Sequence, residues 1–140
     1  MTAVTAIREA LTLPGQYDGQ HDQARAARVF TRATLRDRHP CAAVAVLLVS
    51  ELVTNSMLHS NSQRPGGTIT ITVTGTPDSA RVEVRDAGGT SVPVLKGTDG
   101  TLAEGGPGLR LVSDLAARWA YRREPDGLVT WFEIRAEPPA

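Results

Sequence analysis

Apolar and polar residues alternate strictly in two adjacent segments of the chain. Residues 68–74 read Thr-Ile-Thr-Ile-Thr-Val-Thr, and residues 80–84 repeat the alternation with Ala, Val and Val. A period of two predicts strands that are covered on one face only. Because residues 75–79 between them are turn formers, the two strands should form an antiparallel hairpin. The segments 119–123 and 129–135, joined by a Pro-Asp-Gly turn, predict a second hairpin.

Three further segments carry a helical pattern. Residues 22–37 form the first, and it places these apolar residues on one face: Ala26, Val29, Phe30 and Ala33. The second, 41–60, is apolar almost all round, which is typical of a central helix. The third, 107–117, should turn three apolar residues inward: Leu109, Val112 and Leu115.

A short strand over 5–13 completes the elements. Helices and antiparallel strands then segregate along the chain, which predicts the α+β class. We expect a two-layer α/β sandwich, with a mixed, mainly antiparallel sheet and helices on one face.

The charge balance restricts the partners that the chain can attract. Fifteen basic and fifteen acidic residues cancel within 140 residues. This excludes a uniform positive field for direct binding of nucleic acid or of an anionic membrane. The length predicts a single domain over residues 1–140. The sequence contains neither an apolar leader nor a membrane-spanning run, so we expect a cytoplasmic protein.

A local basic patch is nevertheless visible in the first helix. Arg25, Arg28, Arg32 and Arg36 recur at steps of three and four residues, which places them on one stripe. This stripe is interpreted either as a solvated helix face or as a docking edge for an acidic partner.

Polar residues interrupt the apolar central helix at a regular spacing. Glu51, Asn55 and His59 recur every four residues, and the first two share an arc with Val44 and Leu48. A carboxylate and an amide therefore point toward the core side, where an unpaired charge is costly. A polar-lined cavity explains this better than a plain core, although the spacing alone also fits a structural pair.

Two later segments carry glycines beside polar or exposed backbone groups. Asp86 ends a predicted strand and is followed by Gly88 and a second glycine, which let a flat ligand approach the backbone. Residues 105–109 open a helix with small residues, as phosphate sites do. Each segment alone fits a plain turn or a helix cap equally well. Residues 87–106 between them have no period, and we interpret them as a lid.

In this order the motifs resemble those of the GHKL ATP-binding superfamily. Within it, the chain is most similar to small, stand-alone anti-sigma-factor serine/threonine kinases. Residues 51–59 resemble the N box of the family, residues 86–88 its first glycine box and residues 106–109 its second. The resemblance covers residues 20–136 and implies the histidine-kinase-like ATPase fold.

The resemblance implies a role for each matching residue. Asn55 would hold the Mg²⁺ that bridges the phosphates of ATP, and Glu51 would be the catalytic general base. Asp86 would accept a hydrogen bond from the adenine amino group, and Gly88 would make room for the ring.

The second glycine box and the segment before it would close the site. Gly106 and Gly108, with Leu109 beside them, would contact the phosphates, and residues 90–105 would be the ATP lid. Lys96 within this lid would either reach a terminal phosphate or remain a solvated loop lysine.

The match has one ambiguous position and two departures. Thr130 lies where the family often has a threonine near the adenine, although it also fits a sheet-filling residue. Thr90 replaces a second glycine of the first box, and Pro107 stiffens the second. Both departures bear on nucleotide affinity. His39 and His59 are interpreted as structural residues.

The implied function is that of a regulatory ATP-binding kinase. It would phosphorylate a serine of an antagonist protein, sequester a sigma factor in its other state, and form a homodimer. The alternative is a nucleotide-gated protein-binding module without kinase turnover, which Thr90 favours. A third hypothesis is an α+β interaction domain that has lost its nucleotide.

Overall fold

The computed structural model describes residues 6–14, 20–59, 67–87 and 106–136. Within these ranges, eight elements follow one another: β1 (Ile7–Pro14), α1 (Gln20–Leu35), α2 (Ala42–His59), β2 (Thr68–Thr76), β3 (Ser79–Asp86), α3 (Gly106–Leu115), β4 (Arg118–Glu124) and β5 (Gly127–Arg135). Both predicted hairpins and the predicted helices are present, with bounds that differ by a few residues.

The strands form one sheet in the order β1-β2-β3-β5-β4, and every neighbouring pair is antiparallel. We expected a mixed, mainly antiparallel sheet, and the part of it that the structure describes is antiparallel throughout. The strand β3 lies at the centre, between one hairpin partner and the last strand of the chain. The two hairpins are thereby joined through β3 and β5.

The sheet has one apolar face, and the helices cover it. Ile69, Ile71 and Val73 of β2 are buried, whereas the threonines that alternate with them lie on the opposite, open face. The helix α2 packs against α1, α3, β3 and β5. The predicted α+β class, with two layers and helices on one face, is confirmed. Within the described part of the chain, no helix is both long and apolar enough to cross a membrane.

The helix α1 buries a face that only partly matches the predicted one. Ala24, Ala27 and Thr31 are buried, whereas Val29 is 60% exposed. The predicted apolar face is therefore only partly the covered one: Phe30 packs against the core and Ala26 is half-buried, whereas Val29 and Ala33 are exposed. Small side chains spaced by three and four residues let α1 lie close against α2, and the larger Val29 is left outside.

The end of α1 is set by backbone geometry. The helix stops at Leu35, two residues before the predicted end, because Arg36 adopts a φ of 75°. Its N–H still donates to the carbonyl oxygen of Arg32 at 2.7 Å. This left-handed conformation caps the helix but is strained for a residue with a side chain.

The prediction for α3 is partly correct. Val112 is buried, as expected, but Leu115 is 42% exposed because the helix ends there and its last turn is not covered. The side chain of Leu109 lies outside the described residues.

His39 fastens the loop between α1 and α2 to the sheet. Its Nδ1 accepts a hydrogen bond from the Cys41 N–H at 3.0 Å, so the proton is on Nε2, which donates to the Thr76 carbonyl oxygen at 2.6 Å. The Cys41 thiol is buried, and burial, with the Asp78 carboxylate as a second cause, raises its pKa. Both residues are structural: His39 matches its interpretation, and Cys41 is a protonated core thiol.

Candidate functional site

Two polar side chains are buried where β3 ends beneath the helices. Asp86, the last residue of β3, is 5% exposed, and Thr130 of β5 is 3% exposed. The register pairs Asp86 with Leu128 and Val84 with Thr130. Asp86 and Thr130 are therefore diagonal neighbours on the helix-covered face, with Cα atoms roughly 7–8 Å apart. This end of the sheet carries a buried carboxylate and a buried hydroxyl side by side.

Gly127 allows the backbone of β5 to approach Asp86. A Cβ atom at position 127 would overlap the carbonyl oxygen of Asp86. Only a residue without a side chain fits there, so Gly127 supports the position of Asp86. Sequence reasoning missed this role, because the Pro-Asp-Gly signal indicates a turn but does not say which strand lies against it.

The polar side of α2 lies at the border of the core. Leu48 and Leu52 are buried, whereas Glu51 and Asn55 are partly exposed and lie one turn apart, roughly 6 Å along the helix axis. The sequence predicted that both side chains point toward the core, but they lie at its border and are less buried than that prediction implies. Neither side chain hydrogen-bonds to another described residue, so both can bind a ligand.

The elements that carry these residues are in contact. The helix α2 packs against β3 and β5, which carry Asp86 and Thr130, and also against α3. The second glycine motif coincides with the first turn of α3, which begins at Gly106 and includes Gly108. The N–H groups of a first helical turn have no partner within the helix and attract anions.

Part of the predicted site cannot be located. Gly88, Lys96 and the predicted lid, residues 90–105, lie outside the described residues. Glu51, Asn55, Asp86 and Thr130 are placed with their side chains, and Gly106 and Gly108 are placed through the backbone of α3.

Residues 18–134 match the family model of the histidine kinase-like ATPase domain. The chain belongs to this histidine kinase-like ATPase family. The family match makes this chain a nucleotide-binding domain whose nucleotide is ATP.

A solved structure shares the fold of this ATPase domain. The structure of the RsbU and RsbW domains of Rv1364c from Mycobacterium tuberculosis superposes with a TM-score of 0.61 at 20% identity, over 95% of this chain. This chain spans 33% of that protein. The catalytic domain of the histidine kinase ThkA gives a TM-score of 0.47 at 18% identity, over 91% of this chain and 96% of that one. No curated protein matches the sequence.

The described side chains of the ATPase domain fit Mg²⁺-ATP chemically. A carboxylate such as that of Asp86 can accept a hydrogen bond from an amino group, and adenine carries an amino group at the position where guanine has a carbonyl. Asn55 offers an amide oxygen, a hard ligand of the kind that magnesium prefers, and Glu51 one turn away offers a carboxylate that can accept a proton. The first turn of α3 adds N–H donors of the kind that bind phosphate.

Proposed function

We propose that this ATPase domain is a protein serine/threonine kinase of the anti-sigma-factor type. In this proposal it binds Mg²⁺-ATP and phosphorylates a serine of an antagonist protein, and in its other state it sequesters a sigma factor. The order of the motifs supports the proposal, as does the likeness of the fold to a structure that includes an RsbW domain. The observation that carries it is the burial of Asp86 and Thr130 as diagonal neighbours on the face that α2 covers, where Glu51 and Asn55 of that helix are available to a ligand.

The end of the sheet that carries Asp86 and Thr130 would recognise the adenine base. Asp86 would accept a hydrogen bond from the adenine amino group, with the hydroxyl of Thr130 beside it. Gly88 would make room for the ring. Because Asp86 is nearly fully buried, an unpaired guanine carbonyl there would cost more than in water.

The phosphates would lie between α2 and the first turn of α3. Asn55 would hold Mg²⁺, which supplies charge neutralisation for the transferred group when bound. The backbone of Gly106 and Gly108 would contact the phosphate oxygens, with Leu109 in the same turn. Lys96, within the segment 90–105 that the sequence predicts as a lid, would either reach the terminal phosphate or remain a solvated lysine.

Glu51 would act as the general base. The serine oxygen of the antagonist would attack the γ-phosphorus, the bond from that phosphorus to the bridging oxygen would break, and ADP would leave. The serine proton would pass to the Glu51 carboxylate. The partial exposure of Glu51 suits this role, because the substrate is a side chain of another protein.

The proposal also assigns a cellular location, an oligomeric state and a surface for the protein partner. The protein would be cytoplasmic and would form a homodimer. The arginine stripe of α1 would meet an acidic partner, with Arg25 and Arg32 exposed there, whereas Arg28 donates to the Ser50 hydroxyl at 2.9 Å. Charge reversal at Arg32 should then weaken partner capture, and more strongly at low salt.

Glu51→Ala tests the kinase proposal. Isothermal titration with ATP and Mg²⁺ should give nearly the same affinity as the native chain, whereas transfer of radiolabelled phosphate to a candidate antagonist protein should be abolished. Glu9→Ala, at an exposed glutamate of β1, is the matched control and should keep both activities. ATP binding by the native chain without transfer would instead support the nucleotide-gated binding module. Absence of ATP binding would overturn both hypotheses.

A further inference from the structure

The open face of the sheet carries an excess of positive charge. The strand register places on it six arginines, at Arg8, Arg81, Arg85, Arg118, Arg122 and Arg135, and three glutamates, at Glu83, Glu124 and Glu133. The chain as a whole has a net charge of zero. This face is therefore a local basic patch of the kind that a neutral chain needs in order to attract an acidic partner.

One half of the patch is organised around Glu133. Its carboxylate accepts hydrogen bonds from Arg81 at 2.6 Å and from Arg118 at 2.6 and 3.0 Å. The guanidinium of Arg81 also bonds to Glu83 at 3.0 Å and lies 4.0 Å from the ring centre of Trp131. Stacking and ion pairing together hold these guanidinium groups in fixed positions.

The other half is organised around Glu124. This carboxylate accepts hydrogen bonds from Arg85 and, at 2.9 Å, from Arg122. Arg122 also lies 3.7 Å from Glu83, which links the two halves. A guanidinium group has five N–H donors, and the bonds on this face use only some of them. Arginines held in place with donors to spare bind carboxylates at a low cost in side-chain entropy.

Two arginines of the patch are not part of this network. Arg8 on β1 and Arg135 at the end of β5 are exposed, and neither forms an ion pair with another described residue. They flank the network and are available to a partner.

A cleft of about 310 Å³ lies at one end of the patch. Three hydroxyl side chains and three arginines take part in its wall: Thr74, Thr76, Ser79, Arg81, Arg118 and Arg135. Its lining includes one carboxylate, that of Glu133. The cleft has the size and the donors to accept an acidic side chain.

The patch is separate from the nucleotide site. The cleft lies beside the first residues of β3, whereas Asp86 is the last residue of that strand, roughly 23 Å away along it. Asp86 also lies on the helix-covered face, opposite to the patch. An occupant of the open face would therefore leave the nucleotide site accessible.

We propose that the open sheet face binds an extended, acidic segment of a partner protein. On this face Arg81 and Arg85 of β3 lie four residues apart, with Glu83 between them. Same-face side chains of a strand recur every two residues, so an extended segment laid along the sheet would bring every second one of its facing carboxylates to an arginine. The excess of arginine disfavours a second copy of this face as the occupant, because two such faces would repel each other. Arg81 covers the ring of Trp131, so among the residues described on this face that ring is not open for stacking with a nucleic acid base. The proposal goes beyond the kinase function and does not depend on it.

Fluorescence anisotropy of a labelled peptide tests the proposal with the full chain. The probe is a peptide of about ten alternating glutamate and threonine residues, long enough to span a strand, and its charge control replaces glutamate with lysine. The acidic peptide should bind and the basic one should not. The double variant Arg8→Glu/Arg135→Glu, which leaves the ion-pair network intact, should weaken binding roughly tenfold. ATP titration of the same variant should be unchanged, which separates this surface from the nucleotide site.

The matched control is Arg38→Glu, at an exposed arginine between α1 and α2 that belongs neither to the patch nor to the arginine stripe. It should leave peptide binding unchanged. Loss of peptide binding in Arg25→Glu/Arg32→Glu, with the sheet variant unaffected, would place the acidic segment on α1 and overturn the proposal. Equal affinity for inorganic tripolyphosphate or for a single-stranded RNA would show that the face binds anions in general, and it would also overturn the proposal. A loss of dimers in the sheet variant, measured by size-exclusion chromatography, would overturn the proposal as well.

Discussion

Asp86 and Thr130 are diagonal neighbours across β3 and β5, and both side chains are almost completely buried although both are polar. A buried carboxylate is tolerated where a donor faces it. In the proposed function the adenine amino group is such a donor.

Asp86→Asn is predicted to weaken ATP binding by roughly tenfold or more, because the new amide would place its own N–H groups where an acceptor is needed. Isothermal titration with ATP measures the effect. Asp126→Asn makes the same chemical change in the exposed turn between β4 and β5 and should leave affinity unchanged. Equal affinities for all three proteins would remove Asp86 from the nucleotide site.

Gly127→Ala is predicted to lower the free energy of unfolding by about 2 kcal/mol and to weaken ATP binding, because the new methyl group would displace the Asp86 backbone. Gly75→Ala is the control. Its methyl group would meet the end of the Leu35 side chain at 2.6 Å, and that side chain can rotate away. Neither glycine adopts a left-handed conformation, so the comparison concerns space alone. Urea unfolding and ATP titration of both variants test it, and the prediction fails if both lose the same amount.

Thr31→Val is predicted to stabilise the protein by about 1 kcal/mol. Thr31 is completely buried in α1, and among the described residues its Oγ1 is the one buried side-chain oxygen or nitrogen without a hydrogen-bond partner. Valine has nearly the same shape and removes the unpaired hydroxyl. Thr34→Val, at the other buried threonine near the end of α1, should give no such gain. A lower melting temperature for Thr31→Val would show that the hydroxyl is bonded after all.

Glu133 is predicted to make stability depend on pH in the acidic range. Burial alone would raise its pKa, but the hydrogen bonds and charges of Arg118 and Arg81 outweigh burial and hold the pKa below its ordinary value of 4.5. Because the folded-state pKa is the lower one, this stabilisation is present above the unfolded-state value. It is lost as the pH falls through the folded-state pKa.

Urea unfolding of the native chain and of Glu133→Gln at a series of pH values between about 3 and 7 measures this contribution. The variant should be less stable than the native chain at neutral pH, and the difference should shrink as the pH falls. A difference that stays constant over this range would contradict the prediction.

The sheet and the central helix could be predicted because their patterns have a single interpretation. The threonine and isoleucine alternation in β2 fits only a strand with one covered face, and 41–60 is apolar over more than four turns. Helix α1 has no clear contrast between an apolar and a polar face. It is built from alanine, threonine and arginine, so the angle of its buried face depends on how closely it packs on α2, which the sequence does not encode locally.

The sequence predicts a set of candidate site residues but not their geometry. A helical wheel gives the direction in which Glu51 and Asn55 point from α2. The width of the buried face of α2, and with it the exposure of these two side chains, depends on how the neighbouring helices pack. The register between β3 and β5 makes Asp86 and Thr130 neighbours. The same register brings Gly127 against the backbone of Asp86, where only glycine fits. That register joins strands that are distant in sequence, so no local pattern contains it.

The central position of β3 has a consequence during synthesis on the ribosome. One long edge of this strand is completed only by β5, and 40 residues separate the last residue of β3 from the first residue of β5. At typical translation rates, synthesis of β5 begins roughly 2–8 s after β3 is complete. Until then the backbone groups along this edge of β3 are open to pairing with other nascent chains. The nascent polypeptide cannot bury Asp86 between β3 and β5 before the hairpin of β4 and β5 has emerged. If Asp86 binds ATP as proposed, ATP cannot assist folding at any earlier stage.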